Sequence, residues 1–142
     1  MTPAPQRPPD FVWIDDQYWR LTSLLRHLLD EGYTYEGIES FGQARQEIES
    51  LKRARLIILD LIIPLGEGGV AAPDTPYVGE ELLRQLRAAA VTAPVIIYTV
   101  VREPEVLERL RTAPNVLGVF SKGERNLTAF TELARTALKR PR

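Results

Sequence analysis

Apolar residues in this chain arrive in two rhythms. Runs that are apolar at nearly every position, Phe11–Ile14, Leu56–Ile63, Pro94–Tyr98 and Val116–Phe120, are what strands covered on both faces look like. Between them the apolar positions fall at helical spacing. Tyr18, Leu21, Leu24, Leu25, Leu28 and Leu29 predict a helix closed by Gly32. Leu82, Leu83 and Leu86 mark one over Val78–Ala90, and Leu127, Phe130, Leu133, Ala134 and Leu138 mark the last. Ser40 with Gln43 three residues on resembles a capping box and opens a helix to about Lys52. Pro104 suits the first turn of a helix to about Arg111. Tyr33–Ile38 reads as a further strand, weakened by Gly37.

Five strands alternating with five helices predict an α/β fold, a doubly wound parallel sheet with helices on both faces. In a flavodoxin-like strand order 2-1-3-4-5, the ligand crevice opens outside the carboxyl ends of the first and third strands. Residues 1–9, with four prolines from Thr2 to Pro9, read as a flexible leader. Residues 10–140 read as one domain, with an extended loop at about 65–77, rich in Gly, Pro and Ala.

Composition narrows the function classes. At 142 residues there is room for one domain with a real core. A net charge of -1 gives no case for nucleic acid as a direct partner, and the short basic end Lys139–Arg142 does not change that. Cysteine is absent, which excludes disulfides and thiolate metal sites. No apolar stretch is long enough for a membrane span, and the leader lacks the apolar core of a signal peptide; the expected location is the cytoplasm. The single histidine, His27, falls on the polar face of the first helix.

The candidate chemistry sits at strand ends. Asp60 interrupts the apolar run Leu56–Ile63, and burying an isolated carboxylate is costly, so it must meet a polar crevice or a cation. Asp15 and Asp16 follow the first strand, Thr99 ends the fourth and Lys122 follows the fifth. In the expected strand order Asp15, Asp16 and Asp60 converge, and three carboxylates at close quarters repel one another. A hard divalent cation such as magnesium removes that problem. With Lys122 as a second cation and the Thr99 hydroxyl as a neutral donor, the set suits an aspartate that receives a phosphoryl group.

From about Phe11 to Lys139 the chain resembles the response-regulator receiver domain of two-component signalling. The resemblance rests on Asp15–Asp16, on Asp60 with Pro64 four residues on, on Thr99 and on Lys122. It implies that Asp60 accepts a phosphoryl group from a sensor histidine kinase or phosphotransfer protein. It implies Mg2+ held by Asp16 and Asp60, by Asp15 mainly through water, and by the backbone carbonyl of Ile62. Thr99 and Lys122 would bond the phosphoryl oxygens, and output would pass to a downstream protein partner through a conformational shift. A stand-alone signalling domain rather than an enzyme is expected, with the last helix open to a homodimer contact.

The chain also departs from the family. Val100 replaces the usual small residue after the Thr, Gly123 replaces the proline after the Lys, and Val119 holds the aromatic switch position. Phe120 is one place later and faces the opposite side of its strand. The loop before Gly79, the glycine that opens the third helix in the family, is roughly ten residues longer than usual. Ile62 and Val101, both bulky and apolar, are expected to hinder water at the acyl phosphate and slow its decay. Two other functions compete. A haloacid-dehalogenase-like hydrolase would want a second acid where Ile62 stands, and a degenerate receiver would act as a phosphorylation-independent interaction module. Trp13 is expected to pack in the first strand, Trp19 near the site mouth, and Asp74 at the edge of reach.

Overall fold

The computed structural model describes residues 8–17, 22–66, 77–124 and 127–140, with 22–24 as backbone only. Trp19, Asp74 and most of the extended loop lie outside the described residues. In chain order the elements are β1 (Phe11–Ile14), α1 (Thr22–Asp30), β2 (Tyr35–Ile38), α2 (Phe41–Gln46), α3 (Ile48–Arg53), β3 (Leu56–Leu59), α4 (Val78–Ala88), β4 (Val95–Thr99), α5 (Pro104–Arg111), β5 (Val116–Ser121) and α6 (Thr128–Lys139). The five strands form one parallel sheet in the order β2-β1-β3-β4-β5, as the alternation predicted.

Side-chain alternation explains why the central strands are continuously apolar. Val12, Ile14, Ile57, Leu59, Val95 and Ile97 enter one core with Phe41, Leu51, Leu82, Leu86, Val106 and Leu110 from α2 to α5. Phe11, Trp13, Leu56, Ile58, Ile96 and Tyr98 point the other way, against Leu25, Leu28, Phe130, Ala134 and Leu138 of α1 and α6. The strands β1, β3 and β4 thus bury both faces, and period-two polarity has nowhere to appear in them. Trp13 is fully buried, with Tyr98 edge-on to it at 6.0 Å between centroids.

Two boundaries differ from the sequence reading. β3 stops at Leu59 rather than Ile63, because Asp60 Oδ1 accepts the Ile62 N–H at 3.2 Å and turns the chain. Leu61 and Ile63 still reach the first core, while Ile62 is 49% exposed. The helix expected from Ser40 to Lys52 is divided at Glu47, whose φ of -112° and ψ of 27° leave helical geometry. Half of the capping box that opens it forms as expected, Ser40 Oγ accepting the Gln43 N–H, while Gln43 Oε1 reaches back one residue further and accepts the Glu39 N–H. Gly32 ends α1 with φ +94°, and the Tyr33 N–H returns to the Leu28 carbonyl.

Candidate functional site

Asp15, Asp60, Thr99 and Lys122 each lie at or one step past the end of a strand, and the three beyond the end are still held by the ladder. The Asp15 N–H donates to Ile38 O at 2.9 Å, the Asp60 N–H to Ile14 O at 3.0 Å, and the Lys122 N–H to Thr99 O at 2.9 Å. The sheet therefore fixes the backbone of all three, although their side chains come from three separate stretches of sequence. Gly79 closes the wall behind Asp60. A Cβ there would lie 2.2 Å from the Asp60 carbonyl oxygen, so only glycine admits this approach.

Asp15 is fully buried, Asp60 is 4% exposed, and Lys122 bridges them. Its Nζ donates to Asp15 Oδ2 at 2.7 Å and to Asp60 Oδ2 at 2.8 Å. The remaining oxygens accept backbone N–H groups, Asp15 Oδ1 from Gln17 at 2.8 Å and Asp60 Oδ1 from Ile62. Burial pulls the Lys122 pKa down, but the hydrogen bonds and charges of the two carboxylates outweigh it and raise it above the ordinary lysine value. Lys122 is thus an ammonium at neutral pH. It also lies 5.9 Å from the centre of the Tyr98 ring, a contact that sequence reasoning missed because Tyr98 looked like plain core.

The third carboxylate, Asp16, is exposed, and ligand oxygens of Asp15, Asp16 and Asp60 all lie within 4.8 Å of one another. Three carboxylates against one lysine leave a local charge of two negatives. An all-oxygen donor set with that surplus, part buried and part facing solvent, fits a hard divalent cation.

Thr99 is fully buried at the end of β4, and its Oγ1 accepts the Val101 N–H at 3.3 Å. Of the two valines that follow, Val100 is 55% exposed and Val101 is 6% exposed within the first core. The two residues expected to hinder water therefore differ in placement, Ile62 being half exposed and Val101 packed in the first core. Phe120 lies on the α6 side, 5.4 Å from Phe130, whereas Val119 packs on the first core, as alternation predicted.

No family model and no curated protein matches the sequence. Solved structures do match in shape. The signal receiver domain of a putative Luxo repressor protein from Vibrio parahaemolyticus superposes with a TM-score of 0.70 at 22% identity, over 94% of this chain and 92% of that one. A CheY-like response regulator receiver domain protein from Methanospirillum hungatei gives 0.64 at 21% identity, over 90% and 91%. The BeF3-activated N-terminal receiver domain of RstA from Klebsiella pneumoniae gives 0.64 at 18% identity, over 92% and 98%. This chain therefore has the fold of a response-regulator receiver domain.

Proposed function

We propose that the protein is a phosphoacceptor of two-component signalling, taking a phosphoryl group on Asp60 from the phosphohistidine of a sensor kinase or phosphotransfer protein. The observation that carries this reading is the Lys122 bridge. Two buried carboxylates share one ammonium beside a third, on a fold whose crevice lies at that end of the sheet. A carboxylate oxygen of Asp60 attacks phosphorus, the donor P–N bond breaks, and its electron pair returns to the imidazole nitrogen. Bound magnesium supplies charge neutralisation between the carboxylates and the phosphoryl oxygens. Asp15, Asp16, Asp60 and the Ile62 carbonyl are its proposed ligands. Lys122 exchanges a carboxylate oxygen for a phosphoryl oxygen, and the Thr99 hydroxyl donates to another. Output is altered binding of a downstream protein.

Asp60 is the acceptor in this reading because it combines slight exposure with a place one residue past the central strand β3, whose neighbour β4 ends at Thr99. A hydrolase is disfavoured, since Ile62 puts an aliphatic chain where an acid would activate water. The second reading, a phosphorylation-independent interaction module, is favoured by one observation, the absence of an aromatic ring at Val119. Incubation with magnesium and acetyl phosphate tests all three. The expected result is an intact-mass increase of one phosphoryl group, absent in Asp60→Asn. No adduct would favour the module, and donor turnover without an adduct would favour the hydrolase. Among the described residues no helix is long and apolar enough to cross a membrane, which is compatible with a cytoplasmic partner.

A further inference from the structure

Position 119 holds valine, and the nearby ring of Phe120 faces α6, so the strand β5 offers no aromatic side chain that connects the crevice to α5. A different connection runs through α4. Its first turn is pressed on the phosphoacceptor: Gly79 touches the Asp60 carbonyl, and its N–H donates to Leu61 O at 2.9 Å. The next residue, Glu80, takes the Arg109 guanidinium of α5 in a two-point grip. Arg109 Nε lies 2.7 Å from Oε2 and the second nitrogen 2.9 Å from Oε1. Two residues before Gly79, the Tyr77 hydroxyl bonds the carboxylate of Glu103, the residue that caps α5.

These two bridges are polar ties between the helices, beside the apolar packing of Leu83 and Leu86 with Val106 and Leu110. A cavity of about 620 Å³ opens between α4 and α5, lined by Leu83, Arg87, Val106 and Leu110 among others. Both polar bridges leave from the start of α4, next to Asp60, and reach the first and last turns of α5. Glu80 is largely covered, with 14% of its side chain exposed, so its grip on Arg109 is directional and partly shielded. The hydrogen bond and charge of Glu80 raise the Arg109 pKa further. Glu103 is also reached from the crevice by the chain itself, since Thr99 Oγ1 holds the Val101 N–H two residues before it. The start of α5 is thereby tied to both sides of the site.

The geometry points to Glu80–Arg109, seconded by Tyr77–Glu103, as a clamp that makes α4 and α5 move together and carries a change at Asp60 to α5. Glu80 and Arg109 are positioning residues in this scheme, and the inference rests on the proposed phosphorylation of Asp60. A phosphoryl group on Asp60 displaces the backbone against Gly79, and the clamp transmits that displacement across the cavity. By linkage, a change in α5 must act back on the crevice.

The test pairs intact mass with amide exchange in the same samples, on the full chain with magnesium and acetyl phosphate. Wild type, Glu80→Gln, Arg109→Gln and the double variant are compared; Arg109 is half exposed, so these changes spare the core. In wild type the adduct should change exchange in residues 104–111 by about threefold or more. Arg109→Gln and Glu80→Gln should form the adduct to the same extent without that change. The double variant should match each single one, as two ends of one contact do. An unchanged α5 response in adduct-bearing Arg109→Gln overturns the clamp while leaving Asp60 as acceptor. So does wild-type adduct without any α5 response, and so does a variant that no longer takes the label. A wild type that forms no adduct overturns the phosphoacceptor reading and the clamp with it.

Discussion

Gly79 on α4 stands against the backbone of Asp60 so closely that a methyl group would fall 2.2 Å from the Asp60 carbonyl oxygen and 2.6 Å from Leu61 Cα. Both neighbours are main chain, so neither can rotate aside. Gly79→Ala should therefore force α4 outward or the Asp60 turn out of place. The expected cost is about 1–3 kcal/mol in denaturant unfolding, with slower uptake of the phosphoryl group from acetyl phosphate. Unchanged stability together with an unchanged rate would show that the helix accommodates the methyl group elsewhere.

Removing the ammonium should reveal what it balances. Lys122→Met leaves Asp15 and Asp60 buried without their shared cation, at an expected cost of about 2 kcal/mol in metal-free buffer. Excess magnesium should restore part of that loss, and raise the melting temperature of the variant more than that of wild type. Calorimetric melting with and without magnesium checks this. An equal rise in both proteins would place the cation away from Lys122.

Ile62 lies just beyond Asp60, with half its surface in solvent, whereas Val101 is built into the core. Ile62→Asn should open a path for water and hasten loss of label from phosphorylated protein several-fold. Stability should change by no more than about 0.5 kcal/mol. Equal decay rates would end the idea that Ile62 prolongs the mark. Substituting Val101 would not be a clean test, since it would leave a hole in the first core.

Glu47 provides a pH prediction away from the crevice. Burial first, and then the hydrogen bond and charge of Glu36, raise its pKa to about 7 from 4.5. A raised folded-state value means the protonated form is the stabilising one. That contribution is complete below pH 4.5 and is lost as pH climbs to 7 and just beyond. Glu47→Gln, which keeps the neutral form at every pH, should match wild type in acid. At pH 8 it should be more stable by about 1 kcal/mol, after allowance for solvent screening. A pH-independent difference would rule this out.

Most of the architecture was legible in the sequence because burial of both strand faces leaves an unmistakable apolar run, and because Ser40–Gln43, Gly32 and Pro104 punctuate the helices by backbone chemistry. The ends of elements were less legible. Nothing in Leu61–Ile62–Ile63 announces a turn; that turn is made by the Asp60 side chain accepting the Ile62 N–H. Candidate site residues were legible as polar groups at strand ends, and strand order alone brings Asp15 and Asp60 together. The partners of those residues were not. The bridge from Lys122 to both carboxylates and the grip of Glu80 on Arg109 join positions far apart in the chain, and depend on side-chain reach that no spacing rule encodes.

The break at Glu47 has a consequence for how the molecule comes apart. It leaves two helices of six residues each, beside an edge strand that is only half covered. Pieces that short gain little from helical cooperativity and hold mainly through Phe41, Ala44 and Leu51. The segment from β2 through α3 should therefore open as a unit while the remaining four strands stay paired. Limited proteolysis under native conditions should cut first between residues 36 and 53, at a rate set by this local opening and not by global unfolding.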